Sequence, residues 1–246
     1  MICKACNTIL ENEVNFCPNC GIATVKAEIV KKSEHLNLVI AFYVVMLAFL
    51  IVTVFIYRDG TLVEEIVVES IFALIIVGFT FYDFKNIIEL YRFPKINVLL
   101  FLGIILAPFI TAFLVYYGIE IVNVLLFDES QNYYLEYVGY PNALFWAILF
   151  VAVLPPIFEE LAFRGFLFNQ LNKITSAKAT IILTAFIFAL IHLSVLSLLW
   201  IFPFGLLLGY LRYRYKTLWL GMIIHFIHNL IVLSLDYYYY TTLLEF

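Results

Sequence analysis

Two adjacent carboxylates interrupt a long apolar part of this sequence. Glu159 and Glu160 follow residues 142–158, a run without a charged side chain, and Arg164 comes four residues after Glu160. Residues four apart lie on the same face of a helix, so Glu160 and Arg164 are predicted to be neighbours. Ionisable groups within such apolar helices are costly and usually face a cavity or one another. This segment is therefore a candidate site.

Two later apolar segments repeat the same helical spacing. His192 follows Phe188 by four residues, and Asn229 follows His225 by four. Each of the three segments is therefore predicted to present a polar face to its neighbours.

These polar groups are predicted to lie at similar depths in the membrane, when residues are counted along each helix from the end at which the chain turns. Glu159 lies thirteen residues before the turn that joins its helix to the next one, and His192 lies sixteen residues after that turn. These distances are roughly 20 Å and 24 Å along a helix. His225 and Asn229 lie nine and thirteen residues after Lys216, which is roughly 14 Å and 20 Å. We therefore expect the four side chains to meet, provided that the helix that carries Glu159 continues through residues 159–171.

Such a group of side chains is suited to amide hydrolysis. A carboxylate and an imidazole can hold and deprotonate a water molecule, while a second imidazole and an amide N–H can stabilise an oxyanion. Glutamate and histidine can also bind a divalent metal that activates the water, and the sequence leaves this alternative open. A serine triad and an HExxH zinc motif are not found. A purely structural interpretation is that the polar pairs join membrane helices to one another.

The composition is that of an integral membrane protein. Of the 246 residues, 65% are hydrophobic and 13% are charged, and the mean hydropathy is +1.02. Soluble domains average about 45–50% apolar and about 25% charged residues. The net charge of −4 and the lack of a basic run give no case for a nucleic-acid partner. The apolar composition predicts membrane lipids as surroundings.

Hydropathy divides most of the chain into apolar helices. Seven transmembrane segments are predicted, at residues 38–57, 66–82, 96–127, 142–171, 177–195, 197–211 and 218–235. A break in the third segment near Pro108 or Gly118 would make eight, and the sixth is expected to be interrupted at residues 202–205. The predicted fold is an all-α polytopic membrane protein with seven to eight transmembrane helices.

Two prolines lie just before the paired glutamates. Pro155 and Pro156 remove backbone donors toward the carbonyls of Val151 and Ala152 and tend to kink a helix. A kink there could open space for water and a peptide, or it could be an ordinary bend in a membrane helix.

All four cysteines lie near the N-terminus, in two CxxC pairs: Cys3, Cys6, Cys17 and Cys20. Two such pairs separated by ten residues suit one tetrahedral Zn²⁺ bound by four thiolates, whereas disulfides or idle thiols are the alternatives. So short a segment lacks a core of its own, which favours a structural Zn²⁺ in a small four-cysteine zinc ribbon. Zinc thiolates indicate a reducing compartment and hence a cytoplasmic N-terminus. The predicted domains are a ribbon at 1–24, a linker at 25–37 and a transmembrane domain at 38–246.

The distribution of cations indicates the same orientation. With the N-terminus inside, only Arg58 of the fourteen Lys and Arg residues falls in an outer loop. The outer loop at 116–140 has no cation but carries Glu120, Asp128, Glu129 and Glu136. Because positive charge is enriched on the cytoplasmic side, we expect a multi-pass protein of the cell membrane with a cytoplasmic N-terminus.

Three ordered motifs resemble those of the CPBP intramembrane proteases, the group that includes the type II CAAX prenyl endopeptidases and bacterial bacteriocin-processing or self-immunity proteins. The motifs are EELAFRG at 159–165, FALIH at 188–192 and HFIHN at 225–229, and the similar region covers about 142–235. The first half of the chain and the cysteine pairs lie outside this resemblance.

The resemblance implies a role for each motif residue. Glu159 would act as the base on water, and His192 would help to position that water. His225 and Asn229 would form the oxyanion site, while Glu160 and Arg164 would orient the catalytic helix or the substrate. His228 and Glu69 match no motif position; we expect His228 to be structural, and Glu69 to line a cavity or pair helices.

The implied function is an intramembrane endopeptidase that hydrolyses membrane-associated peptides, whether prenylated or of the leader or signal type. A metal-free glutamate mechanism is favoured, with a catalytic metal as the alternative. The other hypotheses are a non-proteolytic self-immunity or peptide-binding membrane protein and an ion transporter, although no paired half-repeats support a transporter. The ribbon is expected to bind a cytoplasmic partner or to modulate access.

Overall fold

A computed structural model of the chain describes residues 2–10, 14–23, 25–57, 60–127, 132–193 and 195–244. Arg58, Asp128 and Glu129, which are predicted to lie in outer loops, are outside the described residues.

Among the described residues, the regular secondary structure is helical apart from isolated β-bridges near the N-terminus, which confirms the all-α prediction. The eight α-helices are α1 (Val25–Ile56), α2 (Leu62–Tyr82), α3 (Phe84–Ile88), α4 (Val98–Phe127), α5 (Ala143–Asn172), α6 (Ala177–Leu190), α7 (Val195–Tyr215) and α8 (Trp219–Tyr239). Helix α8 continues as a π-helix at Tyr240–Leu244.

Four of the described helical segments are long and apolar enough to cross a membrane: Lys31–Ile56, Val98–Gly118, Ala143–Asn172 and Trp219–Thr242. Each of the seven predicted segments overlaps one helix, but α6 has only 14 residues. The prediction of seven to eight transmembrane helices is therefore confirmed only as a multi-helix membrane architecture.

The predicted interruptions at proline do not occur. Helix α4 contains Pro108 and helix α7 contains Pro203, and each continues on both sides of its proline. A proline within a helix removes a single backbone donor, and the flanking turns keep their own hydrogen bonds. Helix α1 starts at Val25, so residues 25–37, predicted as a linker, are helical.

Helix α5 is continuous through both glutamates but is not uniform. Its α-helical turns alternate with π-helical turns at Ile148–Val153 and Glu160–Leu167. Pro155 and Pro156 lie in the α-helical stretch Leu154–Glu159 between them. Single π turns inside α-helices occur often at functional sites. Every residue of Glu160–Leu167 is buried, so this part of α5 forms the centre of the bundle.

Aromatic side chains hold α1 and α2 against the buried part of α5. The Phe166 ring lies 5.6 Å from Phe42 of α1 and 4.8 Å from Phe79 of α2, measured between ring centroids. Within a membrane, helices associate through close packing rather than through water exclusion. Each such aromatic pair contributes about 0.5–1.5 kcal/mol beyond its buried area. This packing fixes the helix that carries the glutamates.

Candidate active site

One cavity gathers the polar groups of the three predicted helices. Its volume is about 320 Å³. Glu159 of α5, His192 after α6, and His225 and Asn229 of α8 all line it. The other lining side chains are mostly apolar or aromatic: Val115, Phe150, Val151, Pro155, Phe188, Trp200, Ile201, Phe204 and Val232, with Tyr133 and His228. The cavity thus combines polar groups with apolar walls, as ligand sites do.

The carboxylates of α5 flank His225 on both ring nitrogens. His225 Nε2 lies 3.8 Å from Glu159 Oε2, and His225 Nδ1 lies 3.4 Å from Glu160 Oε1. The Glu159 side chain is 16% exposed whereas that of Glu160 is fully buried. Only Glu159 of the two therefore reaches the cavity.

His192 lies in the turn after α6 rather than inside the helix, because α6 ends at Leu190 and Leu193 adopts a positive φ of 52°. The His192 Nδ1 atom lies 2.8 Å from the Phe188 carbonyl oxygen. Because a carbonyl oxygen only accepts, Nδ1 carries the proton in this bond. The Nε2 atom of the neutral ring is then an acceptor, and it can receive a hydrogen bond from water.

The Asn229 side chain is held by the Val151 carbonyl, which has no backbone donor within its own helix because of Pro155 and Pro156. In a regular helix, Val151 O would accept from the N–H of residue 155, and in a π turn from residue 156. Both residues are proline and have no N–H. The Asn229 Nδ2 donates to Val151 O at 2.9 Å instead. The same amide nitrogen carries a second N–H for another acceptor.

Glu160 and Arg164 form the ion pair that their spacing predicts. Arg164 Nη1 donates to Glu160 Oε1 at 2.9 Å, and both side chains are buried. Arg164 also contacts Gly205 O at 3.4 Å and lies 4.2 Å from the Phe188 ring centroid. Neither residue lines the cavity. The pair instead joins α5 to α6 and α7 and supports His225 from behind.

Two glycines make room for this ion pair. A Cβ atom on Gly221 of α8 would lie 2.5 Å from Glu160 Oε2. A Cβ atom on Gly205 of α7 would lie 3.0 Å from the Ala185 Cβ and 3.3 Å from Arg164 Nη2. Both positions are therefore close helix contacts that a larger side chain would disturb.

Two side chains that line the cavity, His228 and Tyr133, are not among the predicted site residues. His228 shares a hydrogen bond with Thr111 at 3.0 Å and stacks on Trp200 at 5.5 Å. It was expected to be structural, yet it lines the cavity. Its spacing of three from His225 was the available signal, because such residues share a helical face. Nothing in the sequence indicated Tyr133 or Thr111. Glu69 is not among the lining residues.

Hydrogen bonds fix the loop that carries Tyr133 against α8 and α2. The Tyr133 backbone N–H donates to Asp236 Oδ2 at 2.8 Å, and the Tyr137 hydroxyl donates to the Glu65 carboxylate. Burial raises the pKa of Glu65, and burial also raises the pKa of Glu136 in the same loop. These contacts hold the loop in place, and its Tyr133 lines the cavity.

The four cysteines form a separate cluster that could hold a metal ion. Their sulfur atoms all lie within 4.8 Å of one another, with Cys3–Cys20 at 3.7 Å and Cys6–Cys17 at 3.6 Å. Four thiolates around zinc at about 2.3 Å give sulfur separations of about 3.8 Å. Hydrogen bonds from Thr8 lower the pKa of Cys6 to about 6, whereas the hydrogen bond with Cys6 and burial raise the pKa of Cys20 to about 12. The donor set and spacing are compatible with zinc.

The two CxxC turns are built alike. The residue after the second cysteine of each pair has a positive φ, 57° at Asn7 and 70° at Gly21. Each turn is closed by a hydrogen bond from that residue to the carbonyl of the first cysteine, Cys3 or Cys17. Glycine and asparagine tolerate this left-handed conformation best.

Residues 141–231 match the model of the family described as type II CAAX prenyl endopeptidase Rce1-like, which is the CPBP family. The match confirms the resemblance over the region that carries the three motifs. The cysteine cluster and α1 to α4 lie outside it. Neither the curated proteins nor the solved structures gave a match to this chain. The match to residues 141–231 and the four apolar helices together indicate a multi-pass membrane protein with a segment similar to that endopeptidase family.

Proposed function

We propose that this protein is an intramembrane endopeptidase that hydrolyses peptide bonds of membrane-associated peptides with a water molecule activated by Glu159. The observation that carries the proposal is the shared cavity. Glu159, His192, His225 and Asn229 come from three separate helical regions and line one space of about 320 Å³. A carboxylate, a neutral imidazole and an amide in one apolar pocket are suited to peptide hydrolysis.

The first half of the proposed reaction forms the bond between water and the peptide carbonyl carbon. Glu159 takes a proton from the water as its oxygen attacks. The water is held in place by a hydrogen bond to His192 Nε2, whose acceptor character follows from the bond that Nδ1 makes with Phe188 O. His225 and the second N–H of Asn229 stabilise the oxyanion.

The second half breaks the carbon–nitrogen bond. Glu159 returns the proton to the departing amine, so the products are one new carboxyl group and one new amino group. Glu160 and Arg164 do not touch the reacting atoms in this scheme. They hold His225 and α5 in position, because Glu160 Oε1 lies 3.4 Å from His225 Nδ1.

A metal-free mechanism is supported by the spacing of the candidate ligands. Among the described residues, only the four cysteines bring three or more His, Cys, Asp or Glu donor atoms close enough to share an ion. Glu159, His192 and His225 are donor types that a divalent metal accepts, but they do not meet that spacing. We propose a structural Zn²⁺ in the cysteine cluster, held by Cys3, Cys6, Cys17 and Cys20.

The orientation and surroundings follow from the sequence. We propose that the protein resides in the cell membrane with residues 1–24 in the cytoplasm, as the distribution of Lys and Arg supports. There the ribbon is available to a cytoplasmic partner. The apolar cavity wall is compatible with a prenylated peptide and with an apolar leader or signal peptide.

The test is incubation of the purified protein with a library of membrane-anchored peptides, followed by mass spectrometry of the products. We expect cleavage that Glu159→Ala and His192→Ala abolish while expression and fold are unchanged. The matched control is Glu64→Gln, which removes a half-buried carboxylate at the start of α2, outside the cavity, and should keep cleavage. Turnover in both cavity variants would dismiss the proposal. Peptide binding or protection that survives both would favour the non-enzymatic alternative.

Adding a chelator to this assay tests whether catalysis needs a metal ion, provided that its effect on the active site is distinguished from its effect on the cysteine cluster. A chelator would also remove zinc from the cysteine cluster. The same assay is therefore repeated on a chain with all four cysteines changed to serine. Cleavage that persists in this chain under chelator supports glutamate catalysis, whereas its loss with recovery on adding metal would establish a catalytic ion.

A further inference from the structure

A second cavity lies at the end of the bundle where α5 and α7 finish. Its volume is about 520 Å³. It lies between those helix ends and the α3–α4 connection, and it shares no residue with the candidate active site. Four cations line it, Arg92, Lys173, Arg212 and Lys216, against the single carboxylate of Glu89.

Among the described residues, the deepest of these cations has no carboxylate partner. Arg212 is 8% exposed, and none of the described carboxylates forms an ion pair with it. Its Nε donates to Arg164 O at 2.8 Å and its Nη2 donates to Asn169 Oδ1 at 2.8 Å. Asp83 lies beyond Asn169 and is 3.7 Å from Lys173. A buried charge satisfied only by neutral acceptors is costly, and an anion in the cavity would supply its counter-charge.

The rim of this cavity has the character of a membrane interface. Trp219, Phe93 and Tyr213 are 37%, 58% and 47% exposed at this end of the molecule. The Trp219 indole N–H donates to Tyr91 O at 2.7 Å, which fixes the ring there. Tryptophan and tyrosine are enriched at the level of the lipid headgroups. An anion that reaches this cavity therefore comes from the depth at which lipid phosphates lie.

Further cations continue the basic surface next to the cavity. A neighbouring cavity shares Pro94 and Tyr215 with this second cavity and is also lined by Lys95 and Arg214. The positive surface is thus broad enough for a headgroup with more than one polar group. Basic pockets between transmembrane helices on the cytoplasmic side are suited to anionic lipid headgroups.

We infer that this cavity binds the phosphate headgroup of an anionic membrane lipid, with Arg212 as its buried anchor and Arg92 and Lys216 at its rim. The inference does not depend on proteolysis, because it rests on groups that the reaction does not use. Occupancy would fix the ends of α5 and α7 relative to the α3–α4 connection.

The test is native mass spectrometry of the full-length protein in neutral detergent with dioleoyl phosphatidylglycerol or dioleoyl phosphatidylcholine. We expect the wild-type chain to retain the anionic lipid preferentially. The double variant Arg92→Gln, Lys216→Gln removes two exposed cations from the rim. At about fivefold per cation, its affinity for phosphatidylglycerol should fall on the order of 25-fold.

The matched control is Lys31→Gln, Lys32→Gln, which removes the same charge from exposed positions of α1. This variant should bind phosphatidylglycerol as the wild type does. Equal loss in both double variants would show unspecific attraction and overturn the inference, as would equal retention of the two lipids by the wild type. Displacement of the lipid by low concentrations of inorganic phosphate would overturn it in favour of a site for a soluble anion.

Discussion

The close approach of Gly221 to Glu160 gives the sharpest test of how the site is supported. A Cβ atom added at Gly221 would lie 2.5 Å from Glu160 Oε2 and 3.2 Å from Glu160 Cδ. Non-bonded heavy atoms normally stay about 3.5 Å apart, so the carboxylate would have to move by roughly 1 Å. Glu160 is fully buried, and its Oε1 lies 2.9 Å from Arg164 Nη1 and 3.4 Å from His225 Nδ1, so this movement would disturb both contacts.

Two effects of Gly221→Ala follow from this geometry. Overpacking at a buried contact destabilises by about 1–3 kcal/mol, which should lower the Tm of the purified protein. A misplacement of about 1 Å in a supporting group can reduce catalysis roughly a hundredfold. We therefore expect both a lower Tm and a fall in kcat/KM of that order for any peptide that the wild type cleaves.

The assay compares Gly221→Ala with Gly103→Ala by thermal unfolding and by peptide cleavage. Gly103 lies in α4 with no atom within 4 Å of an added Cβ. Alanine there should keep activity and raise stability slightly, since it favours a helix by up to about 1 kcal/mol over glycine. Wild-type Tm and cleavage in Gly221→Ala would refute the packing of Glu160 against α8.

Three further predictions concern other parts of the molecule. Asn229→Leu should lower stability by about 1–3 kcal/mol, measured by thermal unfolding, because Val151 O loses its donor. The loss should be smaller in a Pro155→Ala chain, where residue 155 regains an N–H. Equal losses in both chains would contradict the role given to the prolines. The purified chain should contain about one zinc ion by elemental analysis, which Cys6→Ser should remove, and stoichiometric zinc in that variant would contradict the four-cysteine site. Because the pKa of Glu65 is raised, the folded protein binds the Glu65 proton more tightly than the unfolded chain does, and the stability that this proton contributes is present at low pH and lost as pH rises through that pKa. Glu65→Gln should therefore flatten the dependence of Tm on pH above about pH 5. An unchanged dependence would contradict this prediction.

The sequence was most informative where simple helical spacing decides the contact. The Glu160–Arg164 pair follows from a separation of four residues alone, and the structure contains it. Counting residues from the helix ends also anticipated that Glu159 and His225 would be near one another, and their side chains approach to 3.8 Å. The cysteine cluster followed from two CxxC pairs, because metal sites require few side chains at fixed spacing.

Features that depend on contacts between distant parts of the chain could not be derived in this way. The π turns of α5 are one example, since the hydrogen bond from Asn229 to Val151 O joins residues of two helices. The end of α6 before His192 is another, because a positive φ at Leu193 is not expected for a leucine. The need for glycine at 205 and 221 became visible only with the neighbouring helices in place.

Cleavage of a membrane-anchored peptide by the wild type and by Glu159→Gln tests the central claim most directly. Glutamine keeps the size of the side chain but removes its capacity to take a proton from water. We expect Glu159→Gln to retain the wild-type Tm and to bind the peptide, while product formation falls to background. Product formed by this folded variant at the wild-type rate would contradict hydrolysis by a Glu159-activated water.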